Sequence, residues 1–378
     1  MAKTFRVLPM LRVAQVIDWW YVSAIAVMVS FGLLMQYSIS TNKDASDPEQ
    51  FQKQVLFVLI GVALFALFSI IDHRRIRLRV GMWYALCFIA LLSVLIFGKT
   101  IQGTKGWFVI AGFSLQPVEF VKLGFILFMA HYLEGSLTRM RQWRVAMISG
   151  IAAAVLLLLI LLQPDLGSAI ILFGVWFSYV LFLRAPKSFI ALVSLSVILA
   201  SMLGWTVLFE DYQKDRLVVF LNPQKYAEKE GYNVVQSMIA VGSGSLWGRG
   251  LGFGTQSQLH FLPEVASDFV FAALAEEFGF IGVVTVIGSL GIILVRLWMY
   301  MRYTTDEYFF LLCFGTFFYL LIQSTMIIGM NIGIMPVTGA PLPLVSAGGS
   351  SMIMTLGLLG LVHFFVIHGQ ARKTTLSS

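Results

Sequence analysis

The sequence predicts an all-α polytopic membrane protein with about ten transmembrane helices, forming one integral membrane domain over residues 1–378. Two observations predict this class: 58% of the 378 residues are hydrophobic, and only 12% are Asp, Glu, Lys or Arg. A soluble domain carries roughly 25% charged residues, so this chain has too few to cover its own surface in water. The composition therefore excludes a soluble enzyme, a nucleic-acid-binding domain and a disordered scaffold.

The spans are defined by apolar stretches long enough to cross a hydrocarbon core of about 30 Å. They lie near residues 17–38, 55–71, 82–98, 118–133, 145–162, 167–183, 188–208, 268–295, 308–329 and 350–368. The first stretch is long and has no clear small-residue cleavage site, so we expect a retained span and no signal peptide. An even number of spans places both termini on the same side of the membrane.

The basic residues predict which side that is. If the N-terminus is cytoplasmic, the inner segments hold 16 of the 26 Lys and Arg residues, and the short outer loops hold four. Because positive charge in short loops marks the cytoplasmic side, we expect a multi-pass protein of the cytoplasmic (inner) membrane with both termini in the cytoplasm. The net charge of +7 then needs no nucleic-acid partner. Cys87 and Cys313 lie inside apolar stretches, so no disulfide is expected.

Two outer connections differ from ordinary loops. The connection at about residues 209–267 contains charged stretches followed by a Gly/Ser-rich run, and a loop of this length is commonly functional or disordered. The last outer loop, about residues 330–349, is uncharged and rich in Gly and Pro. It is too apolar for a hydrated linker, so we expect it to be partly re-entrant and to line a cavity or pack on protein.

Ionisable side chains at the outer ends of apolar segments are candidates for function, because charge is expensive there. Glu119 and Lys122 follow Gln116 and share one helical face at i,i+3 spacing. Two interpretations are open: an internal ion pair that lets each charge tolerate its apolar surroundings, or a role in a substrate site. Asp165, in a tight turn between two spans, is expected to cap the next helix, which leaves a part in catalysis open.

Asp268 is the leading catalytic candidate. It opens the predicted eighth helix, where Ser267 or Asp268 could simply act as the N-cap. Asp268 also faces an outer cavity implied by the long loop, and a carboxylate in that position can accept a proton. Two turns deeper, Glu276 and Glu277 point about 100° apart, so at most one can face the same groove. We expect one of them to pair with a buried Lys or Arg.

The long outer loop carries cations and glycines. Tyr212 and Arg216 are spaced i,i+4, and Arg249 lies within the Gly-rich run. Arg with clustered backbone N–H groups is typical of phosphate binding, although a flexible tether has the same composition. Beside a membrane groove these residues suit a lipid with a diphosphate headgroup. The five His residues show no ligand spacing, so we expect no metal held by the protein.

From the residues alone, two classes of protein fit about equally. One is a transferase acting on a lipid-linked substrate, and the other is a transporter for an amphiphile. The absence of a nucleotide-binding motif argues against a primary pump.

Six sequence blocks resemble the motifs of a known family and so favour one of these two classes. They cover residues 116–122 (QPVEFVK), 163–168 (QPDLGS), 212–223, 232–252, 262–279 and 331–351. In this order they resemble the motifs of the SEDS family (shape, elongation, division and sporulation proteins). The short N-terminus and compact chain are more similar to the elongation member of that family than to the division member.

The resemblance implies a peptidoglycan glycosyltransferase that polymerises lipid II into β-1,4 glycan strands on the outer face of the membrane, releasing undecaprenyl diphosphate. It implies an inverting mechanism with Asp268 as the general base. It also implies, as partners, the growing glycan strand, a class B penicillin-binding protein with transpeptidase activity, and other membrane proteins of the elongation complex.

Further site residues follow from the same resemblance. A divalent cation (Mg or Mn) and basic residues could together stabilise the leaving diphosphate. Expected substrate or diphosphate ligands are Lys122, Glu119, Arg216, Tyr212, Arg249 and Ser350, and expected supporting residues are Asp165, Gln116, Glu276 and Glu277. Two alternatives from other classes are a lipid II flippase and a non-catalytic membrane scaffold of the cell-wall synthesis complex.

Overall fold

The computed structural model describes residues 17–41, 48–71, 77, 79–101, 103–110, 112–135, 142–208, 214, 218–226, 231–259, 261–262 and 264–376. Tyr212 and Arg216 lie outside this part of the chain. The helices are α1 (Trp19–Ser40), α2 (Pro48–Ile70), α3 (Val80–Phe97), α4 (Pro117–Leu133), α5 (Trp143–Leu161), α6 (Leu166–Phe182), α7 (Lys187–Leu203), α8 (Tyr232–Ser243), α9 (Thr255–Gln258), α10 (Val270–Tyr303), α11 (Glu307–Asn331) and α12 (Gly349–Leu376). A π-helical turn at Gly204–Leu208 follows α7, and Pro223–Tyr226 form a 3₁₀ turn.

Within the described ranges, eight helices are long and apolar enough to cross a membrane: α1, α2, α3, α5, α7, α10, α11 and α12. The helices α4 and α6 coincide with the predicted spans 118–133 and 167–183, and each has 17 residues. The prediction of an all-α polytopic membrane protein is therefore confirmed. The count of ten spans remains a prediction.

The helix starts follow from local chemistry. Asp18 accepts a hydrogen bond from the Tyr21 N–H at the start of α1, and Asp306 accepts one from the Phe309 N–H at the start of α11. Such side chains satisfy backbone donors that the first helical turn leaves without partners. Pro117 begins α4, where its missing N–H costs nothing.

The interior of the bundle is formed by α4, α11 and α12. The most apolar stretch of α11 is 67% buried and that of α12 is 83% buried, against 11% in α7, which therefore lies at the periphery of the bundle. α12 packs against α2, and α10 packs against α1 and α11. Predicted inner segments also meet one another, since the Gly135 N–H donates to the Glu307 carboxylate over 2.6 Å.

A small antiparallel sheet lies between α3 and α4, where the sequence predicted no regular structure. Its strands are β1 (Lys99–Ile101), β2 (Thr104–Ile110) and β3 (Phe113–Leu115), in the order β1-β2-β3. Gly103 and Gly112 adopt positive φ angles of 80° and 82° between the strands. Two-residue connections with Gly in this conformation are the usual hairpin turns, because they match the twist of the strands.

α10 is broken near its N-terminal end. Gly279 adopts φ 65° and ψ −162°, which no right-handed helix contains. The break removes the helical bonds from the N–H groups of residues 280 and 281 to the carbonyls of residues 276 and 277. The Gly-rich segment replaces all four partners through the hydrogen bonds Phe280 N–H to Ser245 O (2.9 Å), Ile281 N–H to Leu246 O (3.3 Å), Arg249 N–H to Glu276 O (3.0 Å) and Gly250 N–H to Glu277 O (3.0 Å).

Candidate active site

A cavity of about 360 Å³ lies where the predicted outer segments meet. The sheet contributes Trp107 and Ser114 to its lining, and the start of α4 contributes Gln116. The remaining lining residues are Gln50, Ile101, Glu264, Ala266, Ser267, Asp268, Gly339, Pro341, Ala347, Gly348, Gly349, Ser350 and Ser351. The cavity thus combines two carboxylates, from Asp268 and Glu264, with amide and hydroxyl groups and one aromatic side chain, as binding sites for small polar groups commonly do.

Asp268 lines this cavity from the turn at residues 264–269 that precedes α10. The helix begins two residues later than predicted, and its N-cap, Phe269, makes no side-chain capping bond. The last outer loop passes beside the carboxylate, because a Cβ added at Gly339 would lie 3.6 Å from Asp268 Oδ2. The loop at 330–349 therefore contributes to the cavity lining, and its re-entrant course remains a prediction.

A chain of hydrogen bonds links the cavity wall to the start of α6. The Gln116 backbone N–H donates to Ser350 Oγ (2.9 Å), and Gln116 Nε2 donates to Asp165 Oδ2 (3.2 Å). The other carboxylate oxygen of Asp165 accepts from the Ser168 N–H (2.9 Å) and caps α6. The structure therefore gives Asp165 the capping role that the sequence favoured, while Gln116 and Ser350 face the cavity directly.

Glu119 and Lys122 form a buried ion pair inside α4. Lys122 Nζ lies 2.6 Å from Glu119 Oε1, and each side chain is only 2% exposed. Lys122 also donates to Gln323 Oε1 (3.2 Å), and Gln323 Nε2 donates to the Pro341 carbonyl (2.7 Å) on the cavity wall. Lys122 is thus connected to the cavity through Gln323.

Glu276 and Glu277 hold the Gly-rich segment against the break in α10. Glu276 accepts hydrogen bonds from the N–H groups of Gln256 (2.9 Å) and Ser257 (3.0 Å). Glu277 accepts hydrogen bonds from Ser38 Oγ (2.7 Å), the Gly252 N–H (3.2 Å), Ser257 Oγ (3.3 Å) and Gln258 Nε2 (3.1 Å). The expected Lys or Arg partner is replaced by neutral donors, and neither carboxylate lines the cavity with Asp268. Both residues support the structure around the site.

The predicted phosphate-binding features are arranged differently from expectation. The Arg249 and Gly250 N–H groups are used by the carbonyls of the broken helix. Arg249 Nη1 donates to Thr255 Oγ1 (3.0 Å), and Arg249 is not among the cavity-lining residues. The described residues contain no group of three or more His, Cys, Asp or Glu side chains that could hold a metal ion.

Three buried uncharged polar residues were missed from the sequence. Gln36 and Asn331 bond the backbone of the turn that carries Asp268, and Gln323 bonds Lys122. Gln36 and Gln323 lie inside the predicted spans 17–38 and 308–329, where a polar side chain is expensive unless it has partners. Extending the search from ionisable to all polar residues within the spans would have found these two. Asn331 falls in the predicted outer loop 330–349, where a polar residue gives no such signal.

The fold and the cavity define a polytopic membrane protein with an acidic turn beside a cavity at one end of its helices. The chain belongs to the cell cycle protein family of FtsW, RodA and SpoVE, whose family model matches residues 18–370. The family resemblance of the six sequence blocks is therefore confirmed.

Two relatives and two solved structures illustrate the membership. The chain is 30% identical to peptidoglycan glycosyltransferase RodA of Treponema pallidum, over 93% of this chain and 98% of that protein. It is 33% identical to a probable peptidoglycan glycosyltransferase FtsW of Xanthomonas oryzae, over 91% and 72%. A chain of a peptidoglycan synthase complex that coordinates polymerisation and crosslinking superposes with a TM-score of 0.76 at 29% identity, over 93% and 97%. Thermus thermophilus rod shape determining protein RodA superposes with a TM-score of 0.67 at 28% identity, over 93% and 96%.

Proposed function

We propose that the protein is a peptidoglycan glycosyltransferase that polymerises lipid II into β-1,4 glycan strands at the outer face of the cytoplasmic membrane. The observation that carries the proposal is the position of Asp268 in a cavity of about 360 Å³ built by the outer segments of membrane helices. Relatives of both the RodA and FtsW types are named peptidoglycan glycosyltransferases. The RodA relative is matched over 98% of its length, which favours a function in cell elongation.

In the proposed mechanism Asp268 is the general base. Its carboxylate takes the proton of the 4-hydroxyl of the acceptor GlcNAc, and that oxygen attacks the anomeric carbon of the donor MurNAc. The bond between this carbon and the diphosphate oxygen breaks, and undecaprenyl diphosphate leaves with the electron pair. Attack opposite the leaving group converts an α linkage into a β linkage, as inverting transfer requires.

The leaving diphosphate needs hydrogen-bond donors and positive charge as the bond breaks. Lys122 is a candidate that Glu119 orients, and it is linked to the cavity wall through Gln323. Ser350 also lines the cavity, where its Oγ accepts a hydrogen bond from the Gln116 N–H (2.9 Å). Arg249, Arg216 and Tyr212 are further candidates, whose roles rest on the family resemblance.

The partner proposed for this enzyme is a class B penicillin-binding protein, which crosslinks the new strands. A structural neighbour of the chain belongs to a complex that coordinates polymerisation and crosslinking, which supports this pairing. The proposed orientation has both termini in the cytoplasm, because the basic residues are concentrated in the inner segments.

The test is polymerisation of labelled lipid II by the purified protein with its partner transpeptidase. We expect glycan polymer from the wild type and none from Asp268→Ala. The matched control is Glu264→Gln, since Glu264 is an exposed carboxylate on the same turn and also lines the cavity. It should retain polymerisation, and both variants should bind the partner. Loss of activity in Glu264→Gln alone would transfer the base role to Glu264.

The same experiment separates the two alternatives. A lipid II flippase and a non-catalytic scaffold need no general base. Polymer formation by Asp268→Ala at the wild-type rate would therefore reject the proposed mechanism. Transport of lipid II across vesicles by a protein that forms no polymer would favour the flippase.

A further inference from the structure

Asn331, the last residue of α11, is fully buried beside the turn that carries Asp268. Its exposed fraction is 0%, and all three polar positions of its side-chain amide are used. Nδ2 donates to the carbonyls of Asp268 (3.0 Å) and Ile327 (2.8 Å), and Oδ1 accepts from the Ala272 N–H (3.0 Å). One side chain therefore bonds the backbone on both sides of the point where α10 begins.

These bonds replace the capping that α10 lacks. Ala272 N–H is one of the first backbone donors of the helix, which have no partners within it. Asn331 supplies its acceptor from another helix, and the same amide holds the carbonyl of Asp268. Because the donor and acceptor lie on one rigid planar group, the backbone from residue 268 to residue 272 is fixed relative to α11.

The two carbonyls before Asp268 are held in the same way. The Ala266 carbonyl accepts from Gln36 Nε2 (3.0 Å), and the Ser267 carbonyl accepts from Ser346 Oγ (2.6 Å). Three successive carbonyls of the turn are thus bonded by side chains from α1, from the loop at 330–349 and from α11. Among these donors, Asn331 is the one that bonds the residue carrying the carboxylate.

We propose that Asn331 is a positioning residue that aims the Asp268 carboxylate at the acceptor hydroxyl, an inference that rests on the proposed function. Asn331 is buried behind the turn and is not among the residues that line the cavity. Its effect passes through the backbone of Asp268. A displacement of about 1 Å in a catalytic group can reduce a rate by about 100-fold.

Two variants and one control test this role in the full-length protein with its partner. Asn331→Asp keeps an acceptor for the Ala272 N–H but cannot donate to the Asp268 carbonyl, while Asn331→Gln keeps the amide on a longer side chain. Ser237→Ala removes the 2.7 Å hydrogen bond that Ser237 Oγ donates to the Asn331 backbone carbonyl, and leaves the amide bonds in place. All three are measured for kcat and KM of lipid II polymerisation, thermal unfolding and partner binding.

We expect Asn331→Asp to lower kcat by about 10- to 100-fold with KM changed less than about twofold, because substrate binding is untouched. Asn331→Gln should lower kcat less than Asn331→Asp does, and the kcat of Ser237→Ala should stay within about threefold of the wild-type value. The inference is overturned if both Asn331 variants keep wild-type kcat, or if folded Ser237→Ala loses as much kcat as they do. Absence of polymer from the wild-type protein with its partner would instead overturn the proposed function, and polymerisation by Asp268→Ala would overturn the role of Asp268 on which this inference depends.

Discussion

Replacing Lys122 by Met tests the buried ion pair of α4. Both members of the pair are 2% exposed, so Lys122→Met leaves the Glu119 carboxylate without its cation in an apolar interior. Removing one partner of a buried pair costs about 3–5 kcal/mol of folding free energy. The substitution also removes the donor to Gln323 Oε1, and an unsatisfied buried acceptor costs about 1–3 kcal/mol. We therefore expect Lys122→Met to be strongly destabilised.

A second substitution should recover most of this loss. In Lys122→Met/Glu119→Leu both charges are gone, and apolar replacement of a buried pair is often neutral or stabilising. The remaining loss of folding free energy should be about 1–3 kcal/mol, because Gln323 Oε1 still lacks its donor. The double variant should thus be more stable than the single one. The matched control is Lys53→Met, because Lys53 pairs with Glu49 at the surface with 37% and 73% exposure and should lose less than about 1 kcal/mol.

The assay is unfolding in mixed micelles by titration with SDS, followed by lipid II polymerisation of the folded fraction. A double variant no more stable than Lys122→Met would refute the reasoning from the buried charge. The activity of the double variant answers a separate question that the sequence left open. Wild-type activity would make the pair purely structural, whereas a stable but inactive protein would assign Lys122 to the diphosphate site.

Two further predictions concern the Gly-rich segment and the cavity wall. Gly248 has φ +78°, and a Cβ there would overlap the Glu277 carbonyl, whereas Gly252 has the same φ and open space around it. Gly252→Ala should therefore lower the free energy of unfolding by only about 1–2 kcal/mol, the cost of a left-handed conformation for a residue with a Cβ. Gly248→Ala should lower it clearly more, because its Cβ would also overlap the carbonyl, and the same SDS titration measures both variants. Equal losses would contradict the close packing. Trp107→Ala should raise the KM for lipid II about 2- to 10-fold, since Trp107 lines the cavity. Trp247→Ala, at an 80% exposed Trp outside the cavity, should leave KM unchanged, and a rise in both variants would point to a general loss of structure.

The helices could be predicted because their signal is local. A long apolar stretch can be satisfied in lipid only as a helix or a closed barrel, so hydropathy alone locates α11 and α12 near the predicted spans 308–329 and 350–368. The capping role of Asp165 is also local, since it depends on a turn followed by an apolar stretch.

The site geometry could be predicted only where it depends on nearby residues. The i,i+3 spacing of Glu119 and Lys122 indicated their contact, which the structure contains at 2.6 Å. The contact between Asn331 and the Asp268 turn joins residues 63 positions apart in sequence. No periodicity indicates such a pairing. The sheet between α3 and α4 was missed for another reason, because its strands of three, seven and three residues are too short to show a clear alternation.

The Gly-rich segment shows why composition could not separate two uses of the same backbone. Clustered N–H groups beside an Arg suit a diphosphate, and they suit equally well two helical carbonyls that have lost their partners. Which use applies depends on the break at Gly279, and in sequence Gly279 is an ordinary small residue in an apolar helix. At membrane depth an unsatisfied backbone group costs several kcal/mol, so the carbonyls of Glu276 and Glu277 require donors wherever α10 is broken. The N–H groups of Arg249 and Gly250 meet that requirement. Those two N–H groups are therefore already used, and in the proposed mechanism we expect the donors to the leaving diphosphate among side chains and other parts of the cavity wall.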